Sequence, residues 1–140
     1  MKIDHIGIVV SSIPKAIELW ASVFQYAPMT ETVMNTRQKV KVVFLRKDNS
    51  TTVKLIEPTD ETSPVYRFAL KGGGLHHLCF RCDDVESETQ RLRSLGLRVL
   101  TPPEAGEAFE NHQIAFVYAA GIGLNFELID TDVKACRIRD

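Results

Sequence analysis

The spacing of apolar positions along this chain changes several times, and each change marks an element. Residues 2–10 form a largely apolar run closed by Ser11-Ser12, as a buried strand does. Ser12 can cap a helix whose first turn holds Pro14. Ala16, Ile17, Trp20, Val23 and Phe24 then recur at helical spacing and predict one buried stripe, ended near Pro28. A short strand fits near 29–34. Over 39–46, polar Lys39 and Lys41 alternate with apolar Val40 and Val42, which predicts a half-exposed strand. Asp48-Asn49-Ser50 turns that strand into another at 51–57. Residues 59–71 read as a link with a short helix starting at Ser63-Pro64, and Gly72-Gly73-Gly74 closes it. The order then recurs: a strand at 75–82, and a helix at 85–95 with Asp84 as cap, Val85, Thr89, Leu92 and Leu95 inside and Gly96 at its end. A strand at 97–101 stops at Pro102-Pro103. Residues 104–112 read as a polar loop with a solvated His112, before strands at 113–119 and 123–130. From Thr131 on, the chain reads as a polar, mobile tail.

This is the same segment twice. Asp4-His5-Ile6-Gly7 opens the first copy and Val53-Lys54-Leu55-Ile56 closes it; His76-His77-Leu78-Cys79 and Phe126-Glu127-Leu128-Ile129 do so in the second. His5 to Lys54 and His77 to Glu127 each span about 50 residues, as repeats of a unit too small to bury its own apolar face do. Four positions thereby become equivalent near a pseudo-twofold axis. His5, His77 and Glu127 are good metal ligands there, and Lys54 is not.

With 44% hydrophobic and 25% charged residues the 140-residue chain is an ordinary globular domain. Its module boundaries are expected at about 1–58, a link 59–73, a second module 74–131 and a tail 132–140. A net charge of −1 gives no reason to expect a nucleic-acid or membrane-surface partner. No apolar run is long enough to span a membrane. The chain opens directly on a strand pattern without a charged-then-apolar leader, and three cysteines are too few for a disulfide scaffold, so a reduced, cytoplasmic protein is expected.

Asp4-His5-Ile6-Gly7, Ile56-Glu57-Pro58 followed by Ser63-Pro64, Gly74-Leu75-His76-His77, Asp83-Asp84-Val85 and Phe126-Glu127-Leu128 together resemble the vicinal oxygen chelate superfamily, over nearly the whole chain. That superfamily includes glyoxalases, methylmalonyl-CoA epimerases, extradiol dioxygenases and bleomycin- or fosfomycin-resistance proteins; the epimerases are the nearest local match. The resemblance implies an α+β fold of two tandem βαβββ modules around an open cleft, a small-molecule substrate and a homodimer. It carries His5, His77 and Glu127 onto metal-ligand positions for Zn²⁺, Co²⁺, Mn²⁺, Ni²⁺ or Fe²⁺. Strand alternation lets only one of His76 and His77 face the site, and the repeat selects His77.

Lys54 stands where epimerases and glyoxalases have Gln or Glu, and an ammonium repels a cation. Three readings stay open: a three-ligand metal with Lys54 contacting substrate; a Lys54–Glu127 ion pair with no metal; and a 2-His-1-carboxylate Fe(II) site of the dioxygenase kind. The expected activity is a metal-dependent lyase or isomerase that removes a proton next to the carbonyl of a small acid or acyl thioester. Glu127 and Lys54 are its catalytic groups. The alternative is a metal-free binding protein that sequesters a small molecule. A second base is missing, because the position that would carry it falls near Val42 or Lys41. Glu57, at an odd offset from Lys54, turns to the opposite face. Cys79-x-x-Cys82 has its thiols on opposite faces for the same reason. Lys39, Lys41, Arg46 and Lys47 form a basic strand face that could meet phosphates.

Overall fold

Nine strands and three helices are laid out through residues 1–139, the part of the chain that this computed structural model describes. The first copy runs β1 (Lys2–Val9), α1 (Ile13–Phe24), β2 (Ala27–Pro28), β3 (Val33–Asn35), β4 (Val40–Arg46) and β5 (Thr52–Pro58). A short helix, α2 (Tyr66–Leu70), leads to the second copy: β6 (Gly74–Arg81), α3 (Val85–Ser94), β7 (Arg98–Gly106), β8 (His112–Ala119) and β9 (Leu124–Ile129). The strands form one open sheet in the order β2-β4-β5-β1-β6-β9-β8-β7, with β3 also paired to β4. β1 and β6, the first strands of the two copies, pair antiparallel at the centre; each then pairs parallel with the last strand of its own copy, β5 or β9. This is the expected α+β arrangement of two βαβββ units.

Alternation decides what each face does. On β1, His5, Gly7 and Val9 point into the concave side while Ile8 packs outward against α1. On β5, Ile56 points in and Val53 and Leu55 point out beneath the helix. Ile13, Ala16, Ile17 and Trp20 of α1 lie on that outer face with Val43, Leu45, Val53 and Leu55. Ser12 caps α1 by accepting from the Lys15 N–H at 3.3 Å, and Glu57 reaches across to accept from the Ile13 N–H at 2.7 Å. Glu57 therefore serves the helix, as its odd offset from Lys54 requires. Asp84 caps α3 in the same way as Ser12 caps α1, through the Ser87 N–H at 3.1 Å.

Leu95, placed by its spacing on the inner stripe of α3, instead follows the helix end and is 64% exposed. Four other expectations fail for identifiable reasons. β4 is not half-exposed: Val42, Val43, Phe44 and Leu45 are all buried, because α1 covers one face and the concave core the other. The α1 stripe stops at Trp20, since the indole fills the space against Tyr26 and leaves Phe24 on its outer side, 46% exposed. β7 runs through Pro102-Pro103 to Gly106, which an edge strand with broken register tolerates. Residues beyond it form a 3-10 turn, Glu107–Phe109, rather than a polar loop. Glu107 pins that turn by accepting from the Thr36 N–H and Oγ1–H at 2.8 and 2.7 Å, and Phe109 turns inward, 1% exposed.

The segment after Thr131 also departs from its polar, mobile reading. Arg137 bridges to Thr30, the Ala135 N–H donates to Ala108 at 2.9 Å, and Lys134 is 6% exposed. Among the described residues no helix is long and apolar enough to cross a membrane.

Candidate metal centre

Lys54, His5, His77 and Glu127 sit on β5, β1, β6 and β9, four neighbouring strands at the centre of the sheet, and all four are buried. The two imidazoles approach Nε2 to Nε2 at 3.3 Å, and Glu127 Oε1 lies 3.0 Å from His5 Nε2 and 3.1 Å from His77 Nε2. Lys54 Nζ donates to the same Oε1 at 3.4 Å. The repeat thus brings together the four residues that it makes equivalent.

Each imidazole is held from behind by the residue that precedes it. The β1–β6 pairing is broken twice, between Ile3 and His5 and between Gly7 and Ile8, where Leu75 rather than His76 meets Ile8. Asp4 and His76 are the extra residues at these bulges. A bulge bends the strand and returns consecutive side chains to one side, so the expectation that His76 turns away from the site is corrected. Asp4 Oδ2 accepts from His5 Nδ1–H at 2.7 Å, and His76 Nδ1 lies 2.7 Å from His77 Nδ1. When His77 Nδ1–H donates to His76, both Nε2 lone pairs point at the same spot, as second partners of metal-bound histidines arrange.

Three further residues, which repeat equivalence could not have found, complete the centre. Lys134 donates to both carboxylate oxygens of Asp4 at 3.2 and 3.1 Å. Phe109 stacks on His5 with centroids 6.1 Å apart. Gly7 makes room for His77: a methyl group there would lie 2.2 Å from the imidazole Cε1. Of these, only Gly7 carried a signal, since it lies two residues from His5 and shares its face.

The charges follow from burial and contact. Burial pushes His77 down to about 3 against the opposing bond to Glu127, and pushes His76 down to about 4 with help from the Lys54 charge. Burial alone would raise Glu127, but the Lys54 ammonium and the bonds from His5 and His77 outweigh it and hold the carboxyl well below its usual range. Asp4 is likewise held low against burial by His5 and Lys134.

The donor set fits a divalent cation. An ion with bonds of about 2.1 Å has neighbouring ligand atoms about 3.0–3.4 Å apart in octahedral or tetrahedral geometry, and the three donor separations here are 3.0, 3.1 and 3.3 Å. Two imidazoles and one carboxylate suit Zn²⁺, Co²⁺, Mn²⁺, Ni²⁺ or Fe²⁺. Asp4, His5 and Cys79 also cluster. Asp4 is taken by Lys134 there, and burial holds the Cys79 thiol well above its usual range, so that group is no rival. Cys82 lies on the far face beneath α3, and its thiol donates to the Ile129 carbonyl.

A cavity of about 310 Å³ opens above Lys54, His77 and Glu127, with His76 also in its lining and His5 behind them. Val40, Val42 and Ile56 form one wall and Ile114 and Phe116 the other, with the amides of Asn35, Gln38 and Asn125 among them. At the two positions where a second base would fall, Val42 is buried and Lys41 pairs outward with Glu57 at 3.1 Å. Of the basic strand face, Lys39 donates to Thr62 and Arg46 pairs with Asp48.

The sequence pattern of the Glyoxalase/Bleomycin resistance protein/Dioxygenase superfamily matches residues 4–116. The chain belongs to that superfamily. A mitochondrial methylmalonyl-CoA epimerase of Dictyostelium discoideum is 30% identical over 95% of this chain and 78% of its own length. An ethylmalonyl-CoA/methylmalonyl-CoA epimerase of Cereibacter sphaeroides is 32% identical over 56% of this chain and 60% of its own. Among solved structures, a Streptomyces coelicolor methylmalonyl-CoA epimerase variant in complex with 2-nitronate-propionyl-CoA superposes with a TM-score of 0.82 at 28% identity, covering 94% of this chain and 97% of its own. A methylmalonyl-CoA epimerase in complex with methylmalonyl-CoA and NH4+ gives 0.81 at 27%, covering 99% and 98%.

Proposed function

We propose that this protein is a metal-dependent isomerase or lyase of the methylmalonyl-CoA epimerase and glyoxalase type, acting next to the carbonyl of a small oxygen-chelating acid or acyl thioester. The convergence of His5 Nε2, His77 Nε2 and Glu127 Oε1 at 3.0–3.3 Å carries the reading. The relatives solved with acyl-CoA ligands support the substrate class. His5, His77 and Glu127 hold the ion, which when bound supplies Lewis-acid polarisation of a carbonyl oxygen. Asp4 and His76 orient the two imidazoles. The aliphatic walls keep water from the reacting carbon, and the cavity seats a ligand of few heavy atoms beyond its chelating end. Lys54 places positive charge where negative charge develops on the carbonyl oxygen as the α-proton leaves. Glu127 is the group in reach to take that proton, and the Lys54 ammonium the one in reach to return one.

A second reading has its own support. Glu127 already has the Lys54 ammonium as partner, so the buried site is satisfied without an ion, as in a metal-free binding protein. Metal analysis of protein purified without chelator, joined to deuterium wash-in to methylmalonyl-CoA and small 2-hydroxy acids under several divalent ions, separates the two. One transition-metal ion per chain and solvent deuterium at the α-carbon are expected. Protein that stays metal-free after added Co²⁺ or Zn²⁺ and exchanges nothing would leave the binding reading standing. Lys54→Met is expected to keep the fold and lose turnover, and an unimpaired variant would remove Lys54 from the chemistry.

A further inference from the structure

Four charged side chains are sealed beneath the cleft: the carboxylates of Asp4 and Glu127 and the ammoniums of Lys54 and Lys134, with side-chain exposures of 7, 2, 5 and 3%. Their charges cancel. Two neutral imidazole ligands add nothing, so a divalent ion raises the buried sum to two positive charges. Uncompensated charge of that size among apolar groups is costly. The walls cannot relieve it, since Val40, Val42, Ile56, Ile114 and Phe116 are apolar. Asn35, Gln38 and Asn125 are neutral. Among the described lining residues Lys54 is the one lysine or arginine, and its ammonium Nζ stands 3.4 Å from the metal-facing Glu127 oxygen. A neutral side chain at this position would leave a sum of one, which a singly charged ligand could balance.

We propose that Lys54 makes this site selective for doubly negative oxygen ligands, meaning small aliphatic molecules that present two anionic oxygens together, such as a carboxylate beside a second carboxylate or beside an enolised carbonyl. This rests on the metal reading above and narrows its substrate class. Lys54 works here as a specificity-determining residue: it reads the second charge that the ion alone would not demand.

The test is calorimetric titration of the Co²⁺-loaded full chain with malonate, a dianion, and with monomethyl malonate, its singly charged near-isostere. Cobalt content is measured before and after each run. The wild type is expected to bind malonate at least tenfold tighter. In Lys54→Gln and Lys54→Met that ratio falls to within about threefold with cobalt retained, while Lys54→Arg keeps it. The proposal is overturned if the loaded wild type shows no preference, or if the preference survives in both neutral variants. Protein that takes up no cobalt defeats the metal reading and this proposal together; loaded protein without the preference defeats this proposal alone.

Discussion

Gly7 shows how much one missing methyl group decides. It is two residues from His5 on the same face of β1, opposite His77 in the β1–β6 register. A Cβ there would stand 2.2 Å from the His77 ring, so the imidazole would have to leave its present place. Gly7→Ala is expected to cost about 1–3 kcal/mol by overpacking. Titration with Co²⁺ should also show metal affinity lowered by tenfold or more. Wild-type affinity in the variant would mean that the ring has another rotamer of equal use. The histidines and Glu127 could be grouped because repetition predicts equivalent places, and the two imidazoles lie 3.3 Å apart. His76 was misread because alternation holds only in an unbroken ladder. The bulge that overrides it depends on pairing with β1, which local pattern does not encode.

Among the elements, the segment after β9 differs most from expectation. Residues 131–137 looked like an unattached polar tail, yet they lie between the 3-10 turn and the Thr30 strand bridge and deliver Lys134 to Asp4. A buried lysine paired over a span of 130 residues leaves no periodic trace in a sequence. Removing one partner of a buried ion pair costs about 3–5 kcal/mol. Lys134→Met should therefore lower the unfolding free energy measured by urea titration by that amount and weaken Co²⁺ binding through a looser His5. Asp4→Asn should weaken binding too while costing less stability, and full metal affinity in both variants would show that the strap holds only the fold. The starts of α1 and α3, by contrast, were readable from single residues, because Ser12 and Asp84 cap through atoms three positions away, whereas α2 opens at Tyr66 rather than at Ser63-Pro64 and has no side-chain cap. Strand β4 was misjudged because half of what buries it, α1, is placed by tertiary packing.

For the whole molecule, buried ionisable groups set the response to acid. His76 and His77 titrate at about 4 and about 3 when folded, against about 6.5 in an unfolded chain. Between those values the unfolded chain binds more protons, so stability falls as pH falls from about 6.5. Asp4 and Glu127, also held low, extend the loss below about 4. Urea midpoints of the metal-free protein should thus drop steadily between about pH 7 and 4, and a flat series would mean that the imidazoles are charged in the fold. The general plan of two units around a cleft was legible because both copies carry the same periodicities. The curvature that brings β4 and β8 to one cavity was not, because it arises from the closing of the sheet as a whole.

The seam between β1 and β6 is where the duplicated halves meet, and each half puts one imidazole across it. An ion seated there would work as a rivet, gripped by His5 from one half and by His77 and Glu127 from the other, so that parting the halves would mean breaking its coordination first. A lineage that began by doubling a small unit would then have become committed to the doubled form once chemistry settled on the join, since losing either copy loses the ion along with the wall.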